Sequence, residues 1–401
     1  MNASAATPLT LPGTGQRGRT APRVVLSYGM GLDSTALLLR WITEPASRDF
    51  DLADLAVCTA MTGNEFASTG QDVQAVILPL LRREGIRFIQ VARSQRKTTT
   101  SGDGVVVLDD STCPQRLHFS GAYTLGEELL AAGTLPQLGG IRACSIHSKG
   151  NCLDPVIARI TQGQPYRHAI GFEADEHSRA AKDALYNTHV RTGWYPLVDW
   201  GWDRARCREF VTALLGRPWE KSACTFCVFT MATESGRAAL VKRYGREPQA
   251  GANALFLERV AQSLNSRQTL IAGSSAAELV AGAGLTEVQR LFAAMLERAT
   301  YAVYEVRRIT RRTSQSRKPL IARSVTTVAR GSRQAMADYL ATLPGRREIG
   351  RDGIARHILR ERSSTPPSLE HFFVEAPAGV ENKSRPGFDA WWREATSDAL
   401  F

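Results

Sequence analysis

Along the first half of the chain, apolar residues fall into short unbroken runs that alternate with longer stretches where they recur every three or four positions. "RVVLSY" (23–28) and "LADLAVCTAM" (52–61) read as buried strands, and "DSTALLLRWIT" (33–43) and "STGQDVQAVILPLLRREG" (68–85) as the helices that follow them. "RFIQVAR" (87–93) and "YRHAIGF" (166–172) predict further strands, while the polar "SQRKTTTSGDG" (94–104) reads as a loop ahead of "VVVLDD". Strand, helix, strand in succession predicts an α/β fold: a parallel sheet with helices on both faces. After Gly236 the pattern changes, and amphipathic stretches such as "LTEVQRLFAAMLERATYAVYEVRR" (285–308) predict a mainly helical region. The expected organisation is a flexible leader over 1–22, a catalytic domain over 23–235, a helical, basic accessory region over 236–362, and a linker with C-terminal tail over 363–401.

Charge sharpens this division. The 401-residue chain has a formal net charge of +11. Tyr301 to Arg362 alone holds 15 Lys or Arg against 5 Asp or Glu. Such a block points to an acidic macromolecular partner, most simply nucleic acid, because neutralising backbone phosphates is the electrostatic basis of non-specific binding. No apolar run reaches the roughly 20 residues of a membrane-crossing helix, so no membrane partner is expected. Seven cysteines, an odd number, with no secretory signal at the start of the chain, suggest thiols or metal ligands and a cytoplasmic setting.

Candidate chemistry begins at "VVLSYGMGLDSTALLLRW" (24–41), where small residues interrupt a strand just before a helix starts. A helix start exposes backbone N–H groups without intrahelical partners, and the helix dipole adds positive potential there, so the turn is suited to a phosphate. Asp33 and Ser34 could equally cap the helix. The segment lacks both the Gly-Lys-Ser/Thr ending of a Walker loop and the three-glycine dinucleotide spacing.

The turn resembles the PP-loop of the ATP pyrophosphatase and PAPS reductase superfamily, in the longer form S27-Y-G-M-G-L-D-S34, with Met30 where that form often has glycine. Further blocks resemble the same family in order: "CTAMTGNEFAST" (58–69), "RACSIHSKGNCLDP" (142–155), "GFEADEHSRA" (171–180), "WYPLVDWGWDRARCREFV" (194–211) and "KSACTFCVF" (221–229). The resemblance covers Arg23 to about Phe229. It implies a Rossmann-like, HUP-type sheet and ATP held by Ser27, Gly29, Gly31, Asp33, Ser34, Thr35, Thr62, Gly63, Gly171 and Glu176. Asp33 would help to place Mg²⁺. Asp33, Lys149 and Arg179 would be catalytic, with Arg142 as a further cation and Asp175 or Glu176 orienting Arg179.

Cys224 and Cys227 form a CxxC. The resemblance to iron–sulfur members of the family adds Cys144, with Cys152 as a candidate fourth ligand, and implies a cluster of the [4Fe-4S] type, with zinc as the alternative. Enzymes resembling this chain cleave ATP between its α and β phosphates. The expected activity is therefore an AMP- and pyrophosphate-forming sulfur transferase acting on nucleic acid, fed by a sulfur-donor protein such as a cysteine desulfurase. Alternatives are adenylation of a small metabolite for amide or thioamide formation, a sulfonucleotide reductase, or a non-catalytic nucleotide-binding scaffold. The chain has no cysteine after Cys227, which disfavours the reductase.

Overall fold

The computed structural model describes residues 20–139, 142–313, 316–363, 366 and 368–397. Residues 1–19 of the expected leader, residues 364, 365 and 367 of the expected linker and the last four residues of the tail lie outside the described residues. The chain divides into two compact units, Met1–Gly126 with Gly139–Thr225, and Glu127–Leu138 with Phe226–Phe401.

The first unit holds a six-stranded sheet: β1 (Val24–Ser27), β2 (Leu55–Met61), β3 (Arg87–Arg93), β4 (Val105–Ser111), β5 (Tyr166–Ile170) and β6 (Arg191–Trp194). Their spatial order is β4-β3-β2-β1-β5-β6, with every pair parallel except β3 and β4. Side chains alternate faces along a strand, and both faces are buried here. Val24, Leu26, Leu55, Val57 and Phe88 share one apolar cluster with Leu37, Leu38 and Trp41 of the helix Leu32–Thr43. Val25, Ala56, Cys58, Ile89 and Val91 share another with Val156, Ile157 and Ile160 of the helix Asn151–Thr161. Two-sided burial is why these strands are continuous apolar runs. The expected mixed α/β fold with a parallel sheet flanked by helices is what forms.

The second unit corrects the expectation of a mainly helical region. It contains a five-stranded antiparallel sheet of β7 (Tyr301–Thr313), β8 (Ser316–Gly331), β9 (Arg346–Ile349), β10 (Ala355–Arg360) and β11 (Ser368–Pro377), ordered β8-β7-β11-β10-β9. The apparent helical stretch 285–308 ends as a helix at Arg298, and β7 starts at Tyr301. Within β7, Ala302, Tyr304 and Val306 face the helix Pro248–Leu264, whereas Tyr301 and Val303 pack with Met336 and Leu340 of the helix Arg333–Thr342. That period of two is a strand signal, masked in the sequence by interspersed arginines.

The segment Glu127–Leu138 joins this unit although it lies within the sequence of the first. Glu381 N–H donates to Ala131 O at 2.9 Å, and Arg323 donates to Ala132 O at 2.8 Å and Gly133 O at 3.2 Å. Among the described residues, no helix is long and apolar enough to cross a membrane.

Candidate functional site

The first sheet has a topological switch at β1: the chain proceeds to β2 on one side and later returns to β5 on the other. Loops leaving the carboxyl ends of two such strands diverge to opposite faces and leave a crevice, where ligands of open α/β sheets bind. The two loops here are Tyr28–Gly31, after β1, and Gly171–Glu176, after β5. They approach closely, for a Cβ added at Gly171 would lie 3.0 Å from Ser34 N.

Gly31 is the N-cap of the helix Leu32–Thr43 and supplies no side-chain cap. Among the described residues, the N–H groups of Gly31, Leu32, Asp33 and Ser34 have no acceptor. Four orphan donors thus converge with the positive end of the helix dipole. Gly29 N–H donates to Ser34 Oγ at 3.2 Å, and that hydroxyl donates to Gly31 O at 3.3 Å, so Ser34 braces the turn from inside. Thr35 is fully buried, and its hydroxyl meets Tyr28 Oη at 3.1 Å. Gly31 permits a close approach: a Cβ there would lie 2.8 Å from Ser222 Oγ and 3.0 Å from Ser222 N.

Met30 adopts φ +61°, a left-handed conformation costly for a residue other than glycine. Its side chain joins the apolar core and its carbonyl accepts a hydrogen bond from Trp219 Nε1 at 3.1 Å. Burial and that bond hold the strained residue in place, and they keep the thioether out of the crevice.

Asp33 is the electrostatic centre of the turn. Its Oδ1 is buried without a hydrogen-bond partner. Burial first, then a hydrogen bond and charge repulsion from Glu173, push its pKa from 3.8 up to about 7, against the opposing pull of Arg204 and Lys221. Glu173 is itself buried and held by a two-pronged pair with Arg204, at 2.7 and 2.9 Å. A carboxylate oxygen with no partner, at the entrance of a helix and beside a second carboxylate, suits a hard divalent cation. Mg²⁺ is commonly held by one or two carboxylates plus phosphate oxygens and water.

On the neighbouring strand, Arg191 Nε donates to His168 Nδ1 at 3.0 Å, and His168 Nε2 lies 2.8 Å from Ser27 Oγ. An arginine can only donate, so the imidazole proton sits on Nε2 and points at Ser27. Burial, then the nearby Arg191 charge, lower the His168 pKa from 6.5 to about 4 despite Asp183. Ser27 therefore accepts from a neutral histidine and retains its own hydroxyl proton to donate.

Other expected residues occupy the same edge. Thr62, just after β2, donates through its N–H and hydroxyl to Glu65 Oε1 at 2.9 and 2.8 Å, and Gly63 turns at φ +79°. Lys149 and Cys144 lie in the first turns of a near-continuous helix from Ala143 to Thr161. That helix leads into β5 through a short turn and, at about 1.5 Å per residue, is long enough to bring its start back to the carboxyl edge. Lys149 is exposed there, as is Arg142. Arg179 pairs with Glu176 and lies 4.5 Å above the Phe172 ring, while Asp175 is exposed. Glu176 thus orients Arg179 as expected, and the acid beside Asp33 is a further one, Glu173.

Cys152 is fully buried in the apolar cluster beneath the sheet, its Sγ directed at His147 O at 3.7 Å, and burial pushes its pKa from 9.0 up to about 11. Cys224 Sγ meets Thr62 Oγ1 at 3.3 Å. Cys224 belongs to the first unit and Cys227 to the second. Among the described residues, no group of three or more His, Cys, Asp or Glu is placed to hold a metal ion. Cys58 and Cys207 are buried, as expected for core residues.

Sequence reasoning missed Glu173, Arg204, His168, Trp219 and Ser222. Glu173, Arg204 and Ser222 lay in blocks already singled out, and His168 in an expected strand, but none was given a role there. Trp219 lies outside all of them and reaches the turn from far along the chain. No protein-family model, no curated protein and no solved structure matches this chain.

Proposed function

We propose that the chain is a PP-loop enzyme of HUP-type α/β architecture that binds ATP at the β1–β5 crevice and cleaves it to AMP and pyrophosphate. The observation that carries this reading is the joint presence of four unpaired backbone N–H groups at Gly31–Ser34 and an unpartnered Asp33 oxygen beside them. Donors for phosphate and a ligand for its counter-cation then stand on one turn.

In this reading the backbone amides and the Ser27 hydroxyl hold the terminal phosphates that depart as pyrophosphate. Preorganised donors stabilise the charge that grows on a leaving group more than the charge already on bound substrate. Asp33 and, beside it, Glu173 would hold Mg²⁺, which supplies neutralisation of phosphate charge when bound. Lys149, with Arg142 and Arg179 as further cations, faces the remaining phosphate. AMP is transferred to a substrate oxygen, turning it into a good leaving group that a sulfur or nitrogen nucleophile displaces.

The substrate we propose is nucleic acid, supported by the cation excess between Tyr301 and Arg362. A sulfur nucleophile would come from a donor protein, and no step is assigned to a metal cluster. A cytosolic setting belongs to the same reading, supported by seven cysteines of which, among the described residues, none forms a disulfide.

The test is product analysis with ATP labelled on the α-phosphate, with and without DNA or RNA. Labelled AMP in equal amounts with pyrophosphate, stimulated by nucleic acid, is the expected result. ADP as the product, or no turnover with any nucleic acid, overturns the reading.

A further inference from the structure

A second feature lies in the antiparallel unit, in a cavity of about 420 Å³ at the β9–β10 end of its sheet. Four acidic side chains line it, and three arginines pair with them. Asp352 pairs with buried Arg356 at 2.6 Å, Glu370 pairs with buried Arg308, and Glu348 and Glu361 both pair with Arg346. Arg356 and Arg308 are anchored further by the carbonyls of Gln262, at 2.7 Å, and Leu264, at 3.2 Å. These pairs make a rigid floor.

Four more arginines line the cavity: Arg267, Arg351, Arg360 and Arg362. Among the described residues, none of their guanidinium groups has an ion-pair or hydrogen-bond partner. They come from three separate segments: the turn after the helix Pro248–Leu264, the β9–β10 turn, and the end of β10. Arg362 and Arg267 also bear on Arg308, whose pKa is lowered first by burial, with Glu370 opposing and these two cations adding to the fall. Arg346 is shared by two glutamates, so the seven arginines here face four carboxylates and the lining keeps an excess of three positive charges.

We propose that this cavity binds the phosphate backbone of a nucleic-acid strand. Guanidinium groups match phosphate oxygens with two parallel hydrogen bonds. Four unpaired cations exceed what one phosphate group neutralises, so the occupant carries several phosphates in a row. The cavity is a docking site for the polymer, separate from the crevice of the first unit. The inference rests on the proposed reading only for what happens to the strand after docking, and not for docking itself.

The experiment uses full-length protein and fluorescence anisotropy with a 20-nucleotide single-stranded DNA, its RNA equivalent and the 20-base-pair duplex, each at several salt concentrations. The variant R351E/R360E reverses two exposed, unpaired charges and leaves the buried Arg356–Asp352 and Arg308–Glu370 pairs intact. R208E/R298E, with the same charge change at exposed positions elsewhere, is the control. Thermal melts of both variants matching wild type establish that they fold.

The expected result is binding by wild type and control, with affinity for the preferred probe at least about tenfold weaker in R351E/R360E. The slope of log K against log salt should fall by about 2 for duplex or about 1.4 for single strands. Equal affinity and slope in R351E/R360E and wild type would overturn the inference. So would no binding of any probe by wild type, or displacement of the strand by pyrophosphate at an equal concentration of phosphate groups, which would mark a small-anion site. MgATP binding, measured in the same variants, is expected to be unchanged. Failure of strand docking with ATP binding intact sinks only this inference, whereas docking without any AMP formation sinks only the reading of the crevice.

Discussion

His168 Nε2 lies 2.8 Å from Ser27 Oγ, and its other ring nitrogen is held by Arg191. This relationship fixes a neutral imidazole against the last residue of β1, and it has a pH signature. The folded pKa of about 4 is below the ordinary 6.5, so between these values the unfolded chain binds the additional proton. The stabilising contribution is complete above pH 6.5 and is lost as pH falls toward 4. A His168→Gln variant removes it. Its stability relative to wild type should therefore improve steadily as pH drops from 6.5 to 4, by about 1–2 kcal/mol after allowance for relaxation. Urea denaturation at a series of pH values reads this directly, and a pH-independent difference would contradict it.

Asp33 acts in the opposite sense over an overlapping window. Its folded pKa of about 7 lies above the ordinary 3.8, so the folded state retains a proton that the unfolded chain releases. Stability falls as pH rises from about 4 to 7. Asp33→Asn removes this penalty and should be more stable than wild type by about 2 kcal/mol at pH 8, with a difference near zero at pH 4. The same substitution should weaken Mg²⁺-dependent ATP binding. Greater stability accompanied by lost binding identifies a functional carboxylate, and unchanged binding would remove Asp33 from the site.

The two loop glycines should respond differently to alanine. At Gly29 an added Cβ meets nothing closer than 3.9 Å, whereas at Gly31 it would lie 2.8 Å from Ser222 Oγ. Gly29→Ala is expected to fold with wild-type stability, and Gly31→Ala to lose about 1–3 kcal/mol through overpacking. Thermal denaturation of the pair checks this. Equal losses would mean that the turn packs otherwise than described.

In the second unit, Glu258 is buried and accepts backbone hydrogen bonds from Leu270 at 2.7 Å, Ala276 at 3.0 Å and Ala277 at 3.2 Å. It clamps the segment 265–277 and the start of the helix Ala276–Gly282. Glu258→Ala strands two buried donors and a partly buried third, and should destabilise the protein by about 2–4 kcal/mol, with Glu258→Gln intermediate. A loss below 1 kcal/mol in chemical denaturation would refute the clamp.

Legibility in the sequence followed burial. β1, β2 and β3 are buried on both faces and so appear as apolar runs. β6 is only Arg191–Trp194, with a glycine inside, and leaves no pattern. β7 and β8 were read past because alternate positions carry Arg, as at Arg307 and Arg311, and the preceding helical period ran into them. At the site, Ser27 to Ser34 was legible because a strand, a glycine turn and a helix are contiguous. Glu173 was harder: in "GFEADE" three acids compete, and only packing selects the one that meets Asp33. Trp219 and Ser222 support the turn from nearly 190 residues away, where no spacing rule reaches.

The central claim is that the turn after β1 grips a polyphosphate, and calorimetric titration with α,β-methylene ATP and Mg²⁺ tests it without requiring turnover. Wild-type protein should bind one equivalent, competitively with pyrophosphate. Gly29→Asp, which places a negative charge in the open space beside the amides while leaving the fold intact, should bind at least about tenfold more weakly. No binding by the wild type, or equal binding by Gly29→Asp, would contradict the account.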